Sequence, residues 1–373
     1  MNPHTVFCPN LDCHARGQEG RGNIGLPSWD ERRYICHECK RTFSASKGTL
    51  FYRLQTDGRT VMLVITLLAY GCPLPAIVQA FGFDERTVKK WWQRAGEHCQ
   101  MVHEHLVEQS QLDLQQVQAD ELKVKVQGGS IWMAMAMMVP TRLWLGGAIS
   151  AKRDTALIDQ LVTKVRQIAR CRPLLLAVDG LVSYVGAFQR AFRSPMPRWG
   201  QPGRRQLIAW PDIVIVQVVK RRTSSGLDIV RRVAQGSERL VQALLHQSQG
   251  GGTINTAYIE RLNATFRQRL AWLSRRSRCL ARQHETLTAS MYIVGCFYNF
   301  CDEHKSLRIR IWISEHRWRW AKRTPAMATA LTDHCWTPAE LFAYRVPPPR
   351  WSPPKRRGRP SKQTLALMER WAL

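Results

Sequence analysis

The chain has 373 residues, with 55 Lys and Arg against 28 Asp and Glu, a net charge of +27 and a pI near 10.4. That length accommodates one principal domain with smaller modules. The charge, together with 14 tryptophans, points to a polyanionic partner, nucleic acid first, and no amphipathic basic helix or anchor speaks for a membrane surface.

The first element is small and cysteine-rich. "CPNLDC" and "CHEC" place Cys8 and Cys13, then Cys36 and Cys39, as two thiolate pairs on short turns. Such pairs can close a tetrahedral shell around one structural Zn2+ and fold a segment too short for its own core. Arg32, Arg33, Lys40 and Arg41 flank the second pair, suited to phosphate contacts. His14 and His37 lie in the same knuckles, but four thiolates already complete the shell.

Residues 60–100 read as three short helices. Pro75 suits the first turn of the middle helix, Gly82 its end, and Asp84 the N-cap of the third. On the third helix Val88, Trp91 or Trp92, and Ala95 face inward, and Arg86, Lys89, Lys90, Gln93 and Arg94 face outward. An outward basic face after a Gly-containing turn is the requirement for a major-groove recognition helix. An ordinary amphipathic hairpin with a solvated charged face is the alternative.

From residue 112 the pattern turns to strands. "LQQVQADELKVKV" alternates, and "IWMAMAMMVPTRLWLGGAIS" is broken by Pro140 and Arg142, so it reads as two strands and a turn rather than a membrane span. A helix over "KRDTALIDQLVTKVRQIAR" follows, with Ala156, Ile158, Leu161, Val162 and Val165 as its buried stripe. Then comes "LLLAVDG", a buried strand with Asp179 at its tip, and a buried anion needs a basic partner or a cation. A basic Pro- and Gly-rich segment (190–211), a strand "DIVIVQVVKR", and helices near 237–247 and 255–274 complete the central region. Three antiparallel strands, a crossover helix, a further strand and later helices make a ribonuclease H-like order. There Asp120 on the first strand lies beside Asp179 ending the fourth, and Glu260 arrives from a later helix capped by Asn255 or Thr256. Asn263, Ala264 and Arg267 share the face of Glu260. Glu238 is a rival third acid, on a helix with a solvated face, and Glu121, next to Asp120, points to the other side of its strand.

"QADE", "AVDG", "YIERLNATFRQRLAWLSRRSRCLAR", "YNFCDEHKSLR" and "RTPAMATALTDHCWT" resemble transposases of bacterial insertion sequences, nearest the insertion sequence one type of the DDE superfamily. The likeness spans most of residues 8–345. It implies catalytic Asp120, Asp179 and Glu260 holding two Mg2+ (or Mn2+) ions, and terminal inverted repeats bound by the zinc ribbon and helix-turn-helix. It also places His304 and Arg308 near the substrate. The stretch between Asp179 and Glu260 is longer than in compact members. Asn263, Arg267, Arg275 and Arg276, with Arg278 and Arg282 beyond them, extend the basic face of the Glu260 helix toward phosphates. "WISEHRWRWAKR" interleaves aromatics and cations, which serves stacking on unpaired bases or core packing of Trp312, Trp318 and Trp320.

The last stretch, "VPPPRWSPPKRRGRPSK" (346–362), is rich in Pro and basic residues and is expected to lack a packed core. Its "KRRGRP" resembles an AT-hook, with Arg357 and Arg359 entering a minor groove on either side of Gly358. The expected organisation is an α+β multidomain chain: zinc ribbon (1–55), helix-turn-helix (56–108), ribonuclease H-like catalytic domain (109–345, insertion about 190–250) and basic tail (346–373). The expected activity is cleavage and strand transfer on double-stranded transposon ends and target DNA, by at least a homodimer. A domesticated DNA-binding regulator and a nuclease without strand transfer are the alternatives. Eleven cysteines, four of them at metal spacing, and no secretory signal suggest the reducing cytosol of a prokaryote, close to its DNA.

Overall fold

A computed structural model of the chain describes residues 2–28, 30–126, 129–196, 203–223, 226–274, 284–315, 317–354 and 358–372. The fold is mixed α+β and divides into two compact units, residues 1–60 with 342–373, and residues 61–341. Among the described residues no helix is long and apolar enough to cross a membrane.

The smaller unit is built on a three-stranded antiparallel sheet, β1 (Ile24–Ser28), β2 (Arg33–Cys36) and β3 (Thr42–Ser44). Its core joins Val6, Ile24, Tyr34 and Phe43 to the buried thiols of Cys8, Cys13 and Cys36, and also to Trp371. Among the described residues of 346–362 none is buried, as expected of a stretch without a core of its own, but Trp351 within it and Trp371 beyond it pack on this cluster. Trp351 packs on this cluster and meets the His14 ring edge-on at 4.7 Å, and Arg16 Nε donates to the Pro349 carbonyl at 2.8 Å. Two tryptophans outweigh the Pro-rich composition, because a segment this small is short of apolar area and takes it from the chain's end.

The larger unit opens on α1 (Gly58–Ala69), α2 (Leu74–Phe81) and α3 (Glu85–His103). Gly82 closes α2 at φ 67°, where a side chain would be strained, and the Asp84 carboxylate caps α3 by accepting from the Arg86 and Thr87 amides. Val88, Trp91, Trp92 and Ala95 are buried, Arg86, Lys89 and Lys90 are exposed, and Gln93 and Arg94 are half-buried. The helix runs on past the expected three-helix motif. A Cβ on Gly96 would lie 2.3 Å from that of Ala289 on a later helix, so only glycine permits this crossing.

Next come β4 (Gln116–Val126), β5 (Gly129–Met138), β6 (Trp144–Ser150), α4 (Thr155–Ile168), β7 (Leu174–Asp179) and α5 (Val182–Ala191). The apolar stretch at 131–150 is two strands turned at Pro140–Thr141, as expected. On α4 the buried stripe uses Leu157 where Ala156 was expected, since Ala156 is exposed and Leu157 has more area to bury. After a short pair, β8 (Arg193–Pro195) and β9 (Leu207–Ala209), come β10 (Ile213–Thr223) and β11 (Gly226–Gln235). β11 was not anticipated, because three arginine or aspartate positions in "GLDIVRRVAQ" mask its alternation. The main sheet has the order β11-β10-β7-β4-β5-β6, with β4, β7 and β10 parallel and the outer strands antiparallel. α6 (Glu238–Gln249) covers one end, packing Val241, Leu244 and Leu245 on Leu175, Val214 and Val216.

α7 (Ala257–Arg269) is shorter than the expected helix to 274. Leu270 turns extended and buries its side chain, and a single 3-10 turn follows. Arg275, Arg276, Arg278 and Arg282 lie outside the described residues. α8 (His284–Cys296) is buried among α3 and β6. The unit then closes with a hairpin, β12 (His304–Ser314) and β13 (Arg317–Arg323), followed by α9 (Pro325–Ala328) and α10 (Pro338–Ala343). α11 (Lys362–Trp371) belongs to the smaller unit.

Candidate active site and metal centre

Parallel strands bring their C-terminal ends to one edge, and open α/β sheets bind ligands at that edge. The register sets Ala119 of β4 beside Val178 of β7, so Asp120 and Asp179 are the next residues on neighbouring strands. Asp179 ends its strand and accepts the Leu181 amide at 2.8 Å. Glu260, on the first turn of α7, lines the same cleft of about 780 Å3, as do Arg153, Lys220, Asn263 and Arg267. The three acids expected to meet line one pocket, but among the described residues Glu260 stays outside the group of Asp120, Glu121 and Asp179 whose carboxylate oxygens lie within 4.8 Å of one another.

Each acid has its own surroundings. Asp120 accepts the Glu121 amide at 2.9 Å and the Asn263 side-chain amide at 2.7 Å. Burial, then repulsion from Glu121, pushes its carboxyl up to about 6. Asp179 pairs with Arg153 at 3.0 Å. Glu260 pairs with Lys220 and accepts the Thr256 hydroxyl at 2.7 Å. Burial works against ionisation of Glu260, but those two hydrogen bonds outweigh it and hold the carboxyl below its ordinary value.

Glu121 is a correction. Alternation on β4 predicts that it points away from Asp120, yet one carboxylate oxygen of each of Asp120, Glu121 and Asp179 falls within 4.8 Å of the others. β7 stops at Asp179, so β4 has no neighbour on that side beyond Ala119, and side chains from both faces reach the open edge. Arg153 holds Glu121 at 2.7 Å while also reaching Asp179, and burial raises the Glu121 carboxyl. These are hard oxygen donors crowded at short range, a set that suits Mg2+ or Mn2+, and the raised Asp120 carboxyl measures charge that a cation would relieve.

Gln118 escaped the sequence reading. Fully buried, its side-chain oxygen accepts the Tyr258 amide at 3.1 Å and the Ile259 amide at 3.0 Å, and its amide donates to the Asn255 carbonyl at 2.8 Å. It caps α7 from β4, two residues before Asp120, and so sets Glu260 against Asp120. The expected side-chain cap by Thr256 is absent, while Asn255 accepts the Ala257 amide at 3.1 Å. The available signal was a pair of glutamines, Gln116 and Gln118, on the inward face of a strand, where polar side chains need partners. Gln118→Ala leaves two helix amides without an acceptor. It should cost about 1–3 kcal/mol in denaturant unfolding and slow any cleavage at this cleft without changing duplex affinity.

In the smaller unit Cys8, Cys13, Cys36 and Cys39 bring all four sulfurs within 4.8 Å of one another, and among the described residues neither His14 nor His37 joins them. Cys8 to Cys39 and Cys13 to Cys36 are each 3.8 Å apart. That is far from the ~2 Å of a disulfide and matches the edge of a tetrahedron with ~2.3 Å metal–sulfur bonds. Lys40, at φ 58°, makes the tight second knuckle and its amide donates to the Cys36 carbonyl at 2.8 Å. Burial drives the Cys8 thiol well up and the Cys13 thiol to about 12, whereas at Cys39 the Arg41 amide, with Asn10 and its neighbouring thiols, overcomes burial and brings it down to about 7. The set could hold one metal ion.

Of the other expected contacts, Glu238 opens α6 and is absent from the acidic cleft, and Ala264 is exposed. Arg359 is exposed beside Gly358 at φ 100°, and Arg357 lies outside the described residues. No protein-family model matches this chain, nor does any curated protein.

Proposed function

We propose that this chain is a DDE-type DNA transposase of an insertion sequence, with a ribonuclease H-like catalytic unit. On this reading it binds terminal inverted repeats and performs metal-dependent cleavage and strand transfer. The observation that carries it is the convergence of Asp120, Asp179 and Glu260, from two parallel strands and a helix, on one cleft rimmed by Arg153, Lys220 and Arg267. Asp120, Asp179 and Glu260 would hold two Mg2+ ions, with Glu121 beside them. Bound there, the ions supply activation of water or a 3′-hydroxyl and charge neutralisation for an in-line phosphoryl displacement. Asn263 fixes the Asp120 carboxylate through its 2.7 Å hydrogen bond. On this reading Arg153 and Lys220, which pair with Asp179 and Glu260, would release the acids to the metals and turn to the incoming phosphate.

The four thiolates fit one structural Zn2+, and with the exposed Arg86, Lys89 and Lys90 on α3 they serve duplex binding. Joining two ends to one target calls for at least a dimer on DNA, in the prokaryotic cytoplasm beside the nucleoid.

A second reading has one observation in its favour. Arg153 and Lys220 already neutralise Asp179 and Glu260, as they would in a non-catalytic DNA-binding protein with salt-bridged structural acids. One assay separates the readings. Labelled duplexes cut from DNA flanking the chain's own coding sequence are incubated with supercoiled plasmid and Mg2+. Joined product that vanishes in Asp120→Ala and Asp179→Ala is expected. Joining that survives either change overturns the assignment, binding without cutting leaves the regulator, and cutting without joining leaves a nuclease.

A further inference from the structure

The proposed reaction leaves one surface of the larger unit without a role. Among the described residues β12 and β13 pair only with each other, and beyond Leu307 every described residue of β12 is exposed, as is most of β13. The core packing open to Trp312, Trp318 and Trp320 does not occur, for the three remain 58%, 40% and 43% exposed. An isolated two-stranded ribbon carrying that much aromatic area in water is costly unless something covers it.

Alternation sets Arg308, Arg310 and Trp312 on one face of β12. The register places Trp318 opposite Trp312 and Trp320 opposite Arg310, so all three rings share that face. The guanidinium of Arg310 lies 4.5 Å from the Trp312 centroid and 4.3 Å from that of Trp318, and that of Arg308 lies 4.2 Å from Trp320. Cations and planes thus alternate across the ribbon. The ribbon is anchored at its root, where the His304 ring meets Tyr298 edge-on at 4.6 Å and Arg323 Nε donates to the Leu307 carbonyl at 2.8 Å.

We propose that this face is a stacking platform for an unpaired DNA strand, the kind exposed when a duplex end is cut or opened. It rests on the reading of the chain as a DNA-processing protein and adds a second binding site to it. Indole planes stack on any base, and arginines interleaved with them meet the phosphates that a single strand carries alongside its bases. A duplex keeps its base faces buried against one another, so only unpaired nucleotides can use the rings. A membrane-binding ribbon would segregate its cations from its tryptophans, which is not the pattern here. A second copy placed symmetrically on this face would set Arg308 and Arg310 near their own kind, an unfavourable like-charge contact.

The test uses the full chain with a fluorescent oligothymidylate and a duplex of equal length. Trp312→Ala, Trp318→Ala and Trp320→Ala should each weaken oligothymidylate binding by about 5- to 150-fold, and Trp→Phe should restore most of it. Duplex affinity and end cleavage should not change, and an iodouracil-bearing strand should photocross-link to the ribbon. Alanine variants that hold the single strand as the wild type does would sink the platform, even where the wild type cuts and joins DNA. So would loss of phosphatidylserine-vesicle binding or of self-association in those variants with strand affinity intact. A wild type that holds oligothymidylate through these rings but never cuts DNA keeps the platform and removes the transposase reading.

Discussion

Asp120→Asn is expected to abolish strand cleavage while making the metal-free protein more stable at pH 8. The two effects share one origin. Asp120 sits where burial and Glu121, Asp179 and Glu260 all oppose its charge, so its carboxyl rises to about 6, against ~3.9 in an unfolded chain. A folded-state value above the unfolded one means that the native form is penalised for ionising. The penalty is absent below pH ~4, grows between ~4 and ~6, and is complete above. Its size is on the order of 2–3 kcal/mol, worth about 5 °C in a unit of this length. Asparagine keeps the shape and removes the charge. Asn263 has a buried side-chain oxygen with no partner, so turning its amide over would let it accept from the new side chain. Thermal melts should show the variant above the wild type at pH 8 and level with it at pH 4. Added Mg2+ should raise only the wild type substantially, since ligand bound to the native state stabilises it by mass action. A variant that melts lower at both pH values would mean that Asp120 is a structural hydrogen-bond acceptor and not a crowded anion.

Much of this site was legible from local pattern. The alternation around "QADE", the apolar run ending at Asp179 and the caps at Gly82 and Asp84 are properties of a few neighbouring residues, and the strands and helices follow them. What escaped depends on residues far apart. Gln118 matters because α7 arrives some 140 positions later, and Glu121 joins the acids because β7 ends where it does. Trp351 and Trp371 look like decoration on a basic tail until the small N-terminal sheet is seen to lack apolar cover. β11 was obscured because Asp228 and the adjacent pair Arg231 and Arg232 put charge on both of its faces and erase the period of two on which strand recognition rests.

Removing a metal ion bound at the cysteine cluster is expected to unfold residues 1–60 together with the tail 342–373. Three of the four thiols are themselves core residues of that unit, packed with Ile24, Tyr34, Phe43 and Trp371. Without a cation, burial keeps Cys8 and Cys13 protonated, and four sulfurs held at 3.8 Å spacings gain only weak hydrogen bonds. With Zn2+ bound, the binding free energy of roughly 10–16 kcal/mol is available to the fold, far more than a core of this size supplies alone. Chelation, or Cys36→Ser, should therefore erase hydrogen-exchange protection across β1 to β3, with protection on β4 and β7 unchanged. The tail should fray in the same step, because Gln18 donates to the Trp371 carbonyl at 2.8 Å and the Trp371 ring closes the same cluster. The coupling also runs the other way. Trp371→Ala opens the core beside the sulfurs at a cost of about 3–5 kcal/mol, and the zinc-loaded protein should give up its metal to a competing chelator at least about tenfold more readily, which needs only ~1.4 kcal/mol of that cost. Full protection of the three strands in the metal-free protein would show that the apolar cluster folds this unit without the ion, and the four cysteines would then be reduced core residues and nothing more.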